Sequence, residues 1–311
     1  MTLFFTHNAC IAHDMGPMHP ERPARLEALN RAFDDAAFAA LDRREAPLAT
    51  LEQIALMHPR DHVERVLAAE PEIGLARLDA DTSMSPGSGE AALRAAGAVC
   101  AAVDAVIAGQ AANAFCAGRP PGDHAEAEIP MGFCLFNNVA IAAAHARAAH
   151  GVKRVAVMDF DVHHGNGTQA MFWDEPDMMF ASTHQMPLYP GTGAREERGA
   201  HGTIVNAPLP SGAGGEEFRA EMTEIILPAL DAFEPELLII SAGFDAHEAD
   251  PLAGLRFIED DYAWATRELM AIADRHAGGR VVSSLEGGYD LDALAASASA
   301  HVRVLMEKDA A

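Results

Sequence analysis

Lysine is almost missing from this chain: among 311 residues only Lys153 and Lys308 occur, and the 22 basic residues are outnumbered by 46 acidic ones. The resulting net charge of −24 excludes the usual electrostatic footprint of a nucleic-acid or anionic-lipid binder. It favours cationic ligands only weakly once salt screens it, and a strongly solvated surface accounts for most of it. Cysteine is also scarce. Cys10, Cys100, Cys116 and Cys134 form no CxxC pair, which argues against a thiolate zinc knuckle and for a reducing, cytoplasmic setting. No run of about 18 strongly apolar residues is present, so no membrane span is expected. The opening MTLFFTHNAC has no basic leader and reads as a buried strand rather than a signal peptide. Internal repeats, low-complexity tracts and Ser/Gly-rich linkers are absent as well. One domain over residues 1–311 is therefore expected.

What is present is an alternation. Short β-rich apolar runs are expected as strands at 3–6, 114–117, 154–158, 178–182, 203–206, 237–241 and 280–284. Ala-rich stretches with helical spacing lie between them, among them 90–108, 138–150, 216–233 and 260–277. Gly151 is placed to cap the second of these helices, and Thr50 with Gln53 has capping-box spacing. Strands alternating with helices predict an α/β domain with a largely parallel sheet. Ligands of such sheets bind beyond the carboxyl ends of the strands, which directs attention to residues 119–125, 159–168, 182–193, 242–247 and 286–290.

The densest chemistry follows the strand 154–158, where residues 159–168 read DFDVHHGNGT. In extended chain, side chains two apart share a side, so Asp159, Asp161 and His163 should face one way. A carboxylate and an imidazole suit a borderline-soft divalent ion such as zinc, and Asp245, just after the strand 237–241, is the third candidate ligand. Two Asp and one His would leave positions open, the mark of a catalytic site. An isolated DxH is more often a turn or N-cap. Two acid-rich strand ends, a His pair and a Gly-rich turn together point to a metal.

Seven separated motifs now identify a resemblance. Residues 19–23 (HPERP), 119–125 (RPPGDHA), 132–138 (GFCLFNN), 159–168, 184–193 (HQMPLYPGTG), 241–252 (SAGFDAHEADPL) and 286–289 (EGGY) occur in the order found in the histone deacetylase superfamily, which includes acetylpolyamine amidohydrolases and acetoin-utilisation proteins. The chain is similar to that superfamily, and HHGNGT resembles its class II branch. The resemblance implies the arginase–deacetylase fold, a single open α/β domain with about eight mostly parallel strands flanked by helices. It implies one catalytic Zn2+ on Asp161, His163 and Asp245. His124 matches the general base and later acid, Asn166 its supporting partner, and Tyr289 the hydroxyl that bonds the substrate carbonyl. Phe133, with Gly132 beside it, matches a wall of the substrate tunnel, and Leu252 a position on its rim. Asp159, Asp161, His163, Ser182 and Thr183 resemble the lining of a structural K+ site.

One residue departs from the pattern. The family has two adjacent histidines, and here the first is Asp123. In the family that position faces the carboxylate matched by Asp159, so an Asp123–Asp159 pair sharing a proton is expected, weakening the site towards acetyl-lysine. The expected function is zinc-dependent hydrolysis of an N-acylated amine, with an acylated lysine peptide or a small acylated amine as partner. Nucleic acid and membrane are not expected as partners, and homo-oligomerisation is left open. Two alternatives stand beside this reading: an acetylpolyamine amidohydrolase, and a catalytically weak, metal-bound protein that binds acylated ligands. Leu252 offers no ion pair to a polyamine, which favours acyl-lysine. His13, Asp14 and Asp81 lie in segments expected near the mouth of the tunnel.

Overall fold

In the computed structural model, which describes residues 1–307, the apolar runs become neighbouring strands of one sheet. The strands are β1 (Thr2–Thr6), β2 (Asp42–Glu45), β3 (Ala76–Arg77), β4 (Ser83–Met84), β5 (Asn113–Cys116), β6 (Val155–Asp159), β7 (Met178–Gln185), β8 (Ile204–Leu209), β9 (Leu237–Ala242) and β10 (Val281–Leu285). Eight of them form a sheet in the order β2-β1-β5-β10-β9-β6-β7-β8, with every pairing parallel. β3 and β4 make a separate antiparallel ribbon.

Period-two alternation splits each central strand between two cores. Leu3, Phe5, Val155, Val157, Leu237 and Ile239 enter one cluster, whereas Phe4, Ala156, Met158, Leu238 and Ile240 enter the other. The first cluster is covered by α5 (Ser88–Ile107) and α6 (Asn138–His150). The second is covered by α2 (Pro23–Phe33), α9 (Leu227–Phe233), α10 (Glu259–His276) and α11 (Leu291–Glu307). The shorter helices α1 (Ala9–Ala12), α3 (Leu51–Ile54), α4 (Arg60–Ala68), α7 (Asn166–Phe172) and α8 (Gly215–Glu221) complete the set. Gly151 adopts the left-handed cap of α6 at φ 67°, and Thr50 and Gln53 form the capping box of α3.

One local expectation changes, and one edge strand was not expected. The single helix expected over 216–233 is α8 and α9 joined by a π-helical turn at Met222–Ile226. Pro228 lacks the N–H that a continuous ladder needs, and the widened turn absorbs the fault. The edge strand β2, of sequence DRRE, has no apolar run at all; its charges suit an edge that must not pair further.

Candidate metal centre and active site

β6 and β9 lie side by side near the middle of the sheet, with Asp159 paired to Ser241. The segments leaving their carboxyl ends therefore meet. Three backbone amides then aim the carboxylates: Asp161 Oδ1 accepts from His163 N at 2.9 Å, Asp161 Oδ2 from Gly287 N at 2.8 Å, and Asp245 Oδ1 from Val162 N at 2.9 Å. Gly287 is needed for this approach, because a Cβ there would run into both Asp161 and Asp245.

The three candidate ligands converge. His163 Nδ1 is 3.2 Å from Asp161 Oδ1 and 3.2 Å from Asp245 Oδ2. Bonds of about 2.0–2.1 Å to a tetrahedral ion separate ligand atoms by roughly 3.3 Å, so the spacing suits zinc. The buried Asp245 Oδ2 has only the His163 ring nitrogen beside it, at 3.2 Å, and a cation would satisfy its remaining lone pairs. Burial lifts Asp245 to about 7. Burial also disfavours the His163 imidazolium, but hydrogen bonds and charge from Asp161 and Asp245 outweigh it and hold His163 well above the ordinary histidine range.

A cavity of about 190 Å³ leads to these residues, lined by Asp81, His124, Gly132, Phe133, His163, Leu188, Tyr189, Leu252 and Tyr289. This is small against the ~300–1,000 Å³ of common small-molecule sites, so it suits a slender stem. Phe133 packs edge-on against Tyr289 at 5.9 Å, and Tyr189 edge-on against His124 at 5.2 Å. Gly132 sits at φ 58° with its α-carbon against the His124 ring, leaving no room for a Cβ.

His124 Nδ1 lies 2.9 Å from Asn166 Oδ1, and Asn166 Nδ2 donates to Glu126 Oε1 at 2.8 Å. The Glu126 carboxylate can only accept, so it fixes which end of the amide faces His124. Nδ1 then carries the proton, and Nε2 is the nitrogen left to exchange one. Tyr289 is held by its amide, which donates to Asp250 Oδ2 at 2.8 Å, and by Arg25, whose guanidinium lies 4.9 Å from the ring centre. Burial, then the Asp245 charge, push its phenol well above the ordinary range, so it stays a donor.

Asp123 has a second carboxylate neighbour, Glu286, besides the expected Asp159, whose carboxyl its charge raises. Glu286 Oε2 accepts the amides of Gly122 (2.6 Å) and Asp123 (3.3 Å), drawing this turn onto Glu286. Ligand-type atoms of Asp123, Glu286 and Cys134 lie within 4.8 Å of one another, and Asp123 Oδ2 and Glu286 Oε1 are buried without partners. Asp159 Oδ1 accepts the Asp161 amide, and after burial the Asp123 charge is the largest influence raising its carboxyl. Burial raises the carboxyls of both Asp123 and Glu286, and the Asp123 charge raises Glu286 and Asp159 further.

Among the expected potassium-lining residues, Asp159 Oδ2 and Thr183 Oγ1 are buried without partners, whereas the Ser182 hydroxyl is engaged with His184 Nδ1 at 2.9 Å. His13 is not at the mouth: it is buried against Ser88 and Glu21. Asp14 is exposed and its carboxylate accepts the Gly16 amide. Asp81 does line the pocket. Tyr189, Leu188, Glu126, Arg25 and Glu286 were given no role from sequence. An aromatic residue in a Pro/Gly-rich loop after a strand was the available signal for Tyr189; Glu126 and Arg25 act through contacts that sequence spacing does not carry.

Comparison with known proteins identifies the fold and the family. A family model described as "Histone deacetylase domain" matches residues 19–305. The chain is 40% identical to a histone deacetylase-like amidohydrolase of Pseudomonas aeruginosa, over 93% of this chain and 81% of that protein. It is 39% identical to a probable deacetylase of Archaeoglobus fulgidus, over 92% and 80%. The solved structure of the HDA15 HD domain superposes with a TM-score of 0.94 at 34% identity, covering 98% of this chain and 88% of that one. Among the described residues no helix is long and apolar enough to cross a membrane. The parallel eight-stranded sheet is that of the arginase–deacetylase fold, and the chain belongs to the histone deacetylase family.

Proposed function

We propose that this protein is a zinc-dependent deacylase that hydrolyses the amide of an N-acylated amine, with acyl-lysine in a peptide or protein as its substrate. The observation that carries the reading is the slender pocket in which His124 and Tyr289 face the Asp161–His163–Asp245 set. An ion on that set supplies Lewis acidity, polarising an amide carbonyl and acidifying water. The rest of the chemistry belongs to side chains. Phe133 and Tyr189 hold the stem and exclude water from it. The Tyr289 hydroxyl donates to the carbonyl oxygen as negative charge builds there. His124 Nε2 takes a proton from the attacking water and passes it to the amine nitrogen as the C–N bond breaks, giving a carboxylate and a free amine. A structural potassium ion at Asp159 is part of the same reading; the orphaned Asp159 Oδ2 supports it.

The test is turnover by purified, zinc-loaded protein of lysine peptides bearing different acyl groups, beside acetylputrescine. Faster hydrolysis of an acyl-lysine peptide supports the reading. Preference for acetylputrescine replaces it with the polyamine alternative. Tight binding of acylated peptides without turnover replaces it with a binding protein, for which the buried acidic pair at Asp123 is the structural reason.

A further inference from the structure

At the end of α6 away from the pocket, three metal-type donors meet. His145 Nε2 lies 2.7 Å and His150 Nε2 2.6 Å from the same oxygen, Oδ1 of Asp104 on α5. The two imidazole rings stand 5.8 Å apart and nearly perpendicular, at 88°. The first residue of α6, Asn138, bonds Pro120 in the loop that carries His124. A helix rises about 1.5 Å per residue, so His150 is roughly 18 Å along α6 from that loop. This cluster is separate from the catalytic set.

We propose that Asp104, His145 and His150 form a second divalent-cation site, a two-imidazole, one-carboxylate seat for zinc or a similar borderline ion, which clips α5 to α6. Donor type is the first argument, since two imidazoles and a carboxylate select this class of ion over magnesium or calcium. Geometry is the second. The nitrogens already converge on one oxygen and all three donor atoms lie within 4.8 Å of one another, so widening the two nitrogen–oxygen distances by about 0.6–0.7 Å brings them to the roughly 3.3 Å separations of a tetrahedral ion. Access is the third. His145 is 10% exposed and anchored, whereas Asp104 at 49% and His150 at 25% leave one side to solvent for water ligands. Competing partners are absent from the seat's own helices: Arg147 pairs with Glu175 and Asp177. Cys100, one turn before Asp104, adds no thiolate, because burial pushes its thiol up to about 12. The chain's net charge of −24 raises the local concentration of cations.

The experiment counts bound zinc in untagged protein after loading and gel filtration. The unsubstituted protein should retain one more zinc per chain than His150→Gln, and one more than Asp104→Asn. Asp161→Asn, which removes a catalytic ligand, should keep the outer ion, and zinc should raise its melting temperature; Asp161→Asn/His150→Gln should show no such rise. Deacylase activity of His150→Gln should equal that of the parent. Equal zinc content in the parent, His150→Gln and Asp104→Asn overturns the proposal and leaves two imidazoles hydrogen-bonded to a carboxylate. Asp161→Asn with undiminished zinc would instead count against the catalytic seat alone.

Discussion

Asn166 stands between His124 and Glu126 with its amide oxygen 2.9 Å from His124 Nδ1 and its amide nitrogen 2.8 Å from the Glu126 carboxylate. The relay sets the tautomer of His124 without touching substrate. Asn166→Ala should lower kcat by about tenfold or more with little change in KM, and Glu126→Gln should fall between it and the parent. His124→Ala should lose the full general-base contribution, roughly 10²–10⁴-fold. Steady-state kinetics on one acyl-lysine peptide checks the order; a Glu126→Gln protein slower than His124→Ala contradicts the relay.

Tyr289→Phe keeps the ring against Phe133 and Arg25 but loses the hydroxyl. Turnover should fall by roughly 10²–10³-fold while zinc content stays at the parent level. Unchanged turnover removes the hydroxyl from the chemistry, and lost zinc would mean that Tyr289 supports the ligands instead.

Metal loading should be linked to protons. In the ion-free chain His163 is held well above the ordinary histidine range, so near neutral pH its Nδ1 carries a proton that must leave before an ion can bind. Apparent zinc affinity should therefore fall as pH falls, by up to tenfold per unit for each proton displaced, and level off only above the raised value. Titration calorimetry of stripped protein in two buffers of different ionisation heat should show net proton release. Asp161→Asn and Asp245→Asn should each lose the ion.

The buried pair at Asp123 and Glu286 gives a stability prediction with a definite sign. Both carboxyls are raised above their unfolded values by burial. Their contribution is fully present below about pH 4, where unfolded carboxyls are protonated, and is lost as pH rises through the raised folded values. Asp123→Asn should thus flatten the decline of melting temperature above that point. Asp123→His places a cation-capable ring beside Glu286 and should speed deacetylation by about tenfold, if about 1.4 kcal/mol of repulsion is relieved. A steeper decline in Asp123→Asn, or no gain in Asp123→His at any pH from about 6 to 9 with zinc matched, would sink this account.

The centre of the molecule was legible because β6 and β9 are buried on both faces and read as apolar runs, and because their polar ends carry the motifs. The edge strand β2 was not, since its charges give no such run. The ligand candidates Asp161, His163 and Asp245 came from spacing and resemblance, and the fold brings them together. The Glu286 neighbour of Asp123 was missed for a physical reason: Glu286 is 163 residues away, and only the parallel placement of β10 beside β5 brings it under the 119–125 loop. Contacts set by topology leave no local pattern to read.

The candidate metal seat hangs from two hydrogen-bonded neighbours, β6 and β9, while the walls of the pocket come from separate loops at Asp81, Phe133, Leu188–Tyr189 and Leu252. Changing a wall leaves the strand register untouched, whereas changing the seat disturbs two strands at once. Under the proposed reaction, substrate choice is therefore free to drift over evolutionary time by single substitutions, and an engineer seeking a new acyl preference should randomise those five wall positions and leave the strand ends alone.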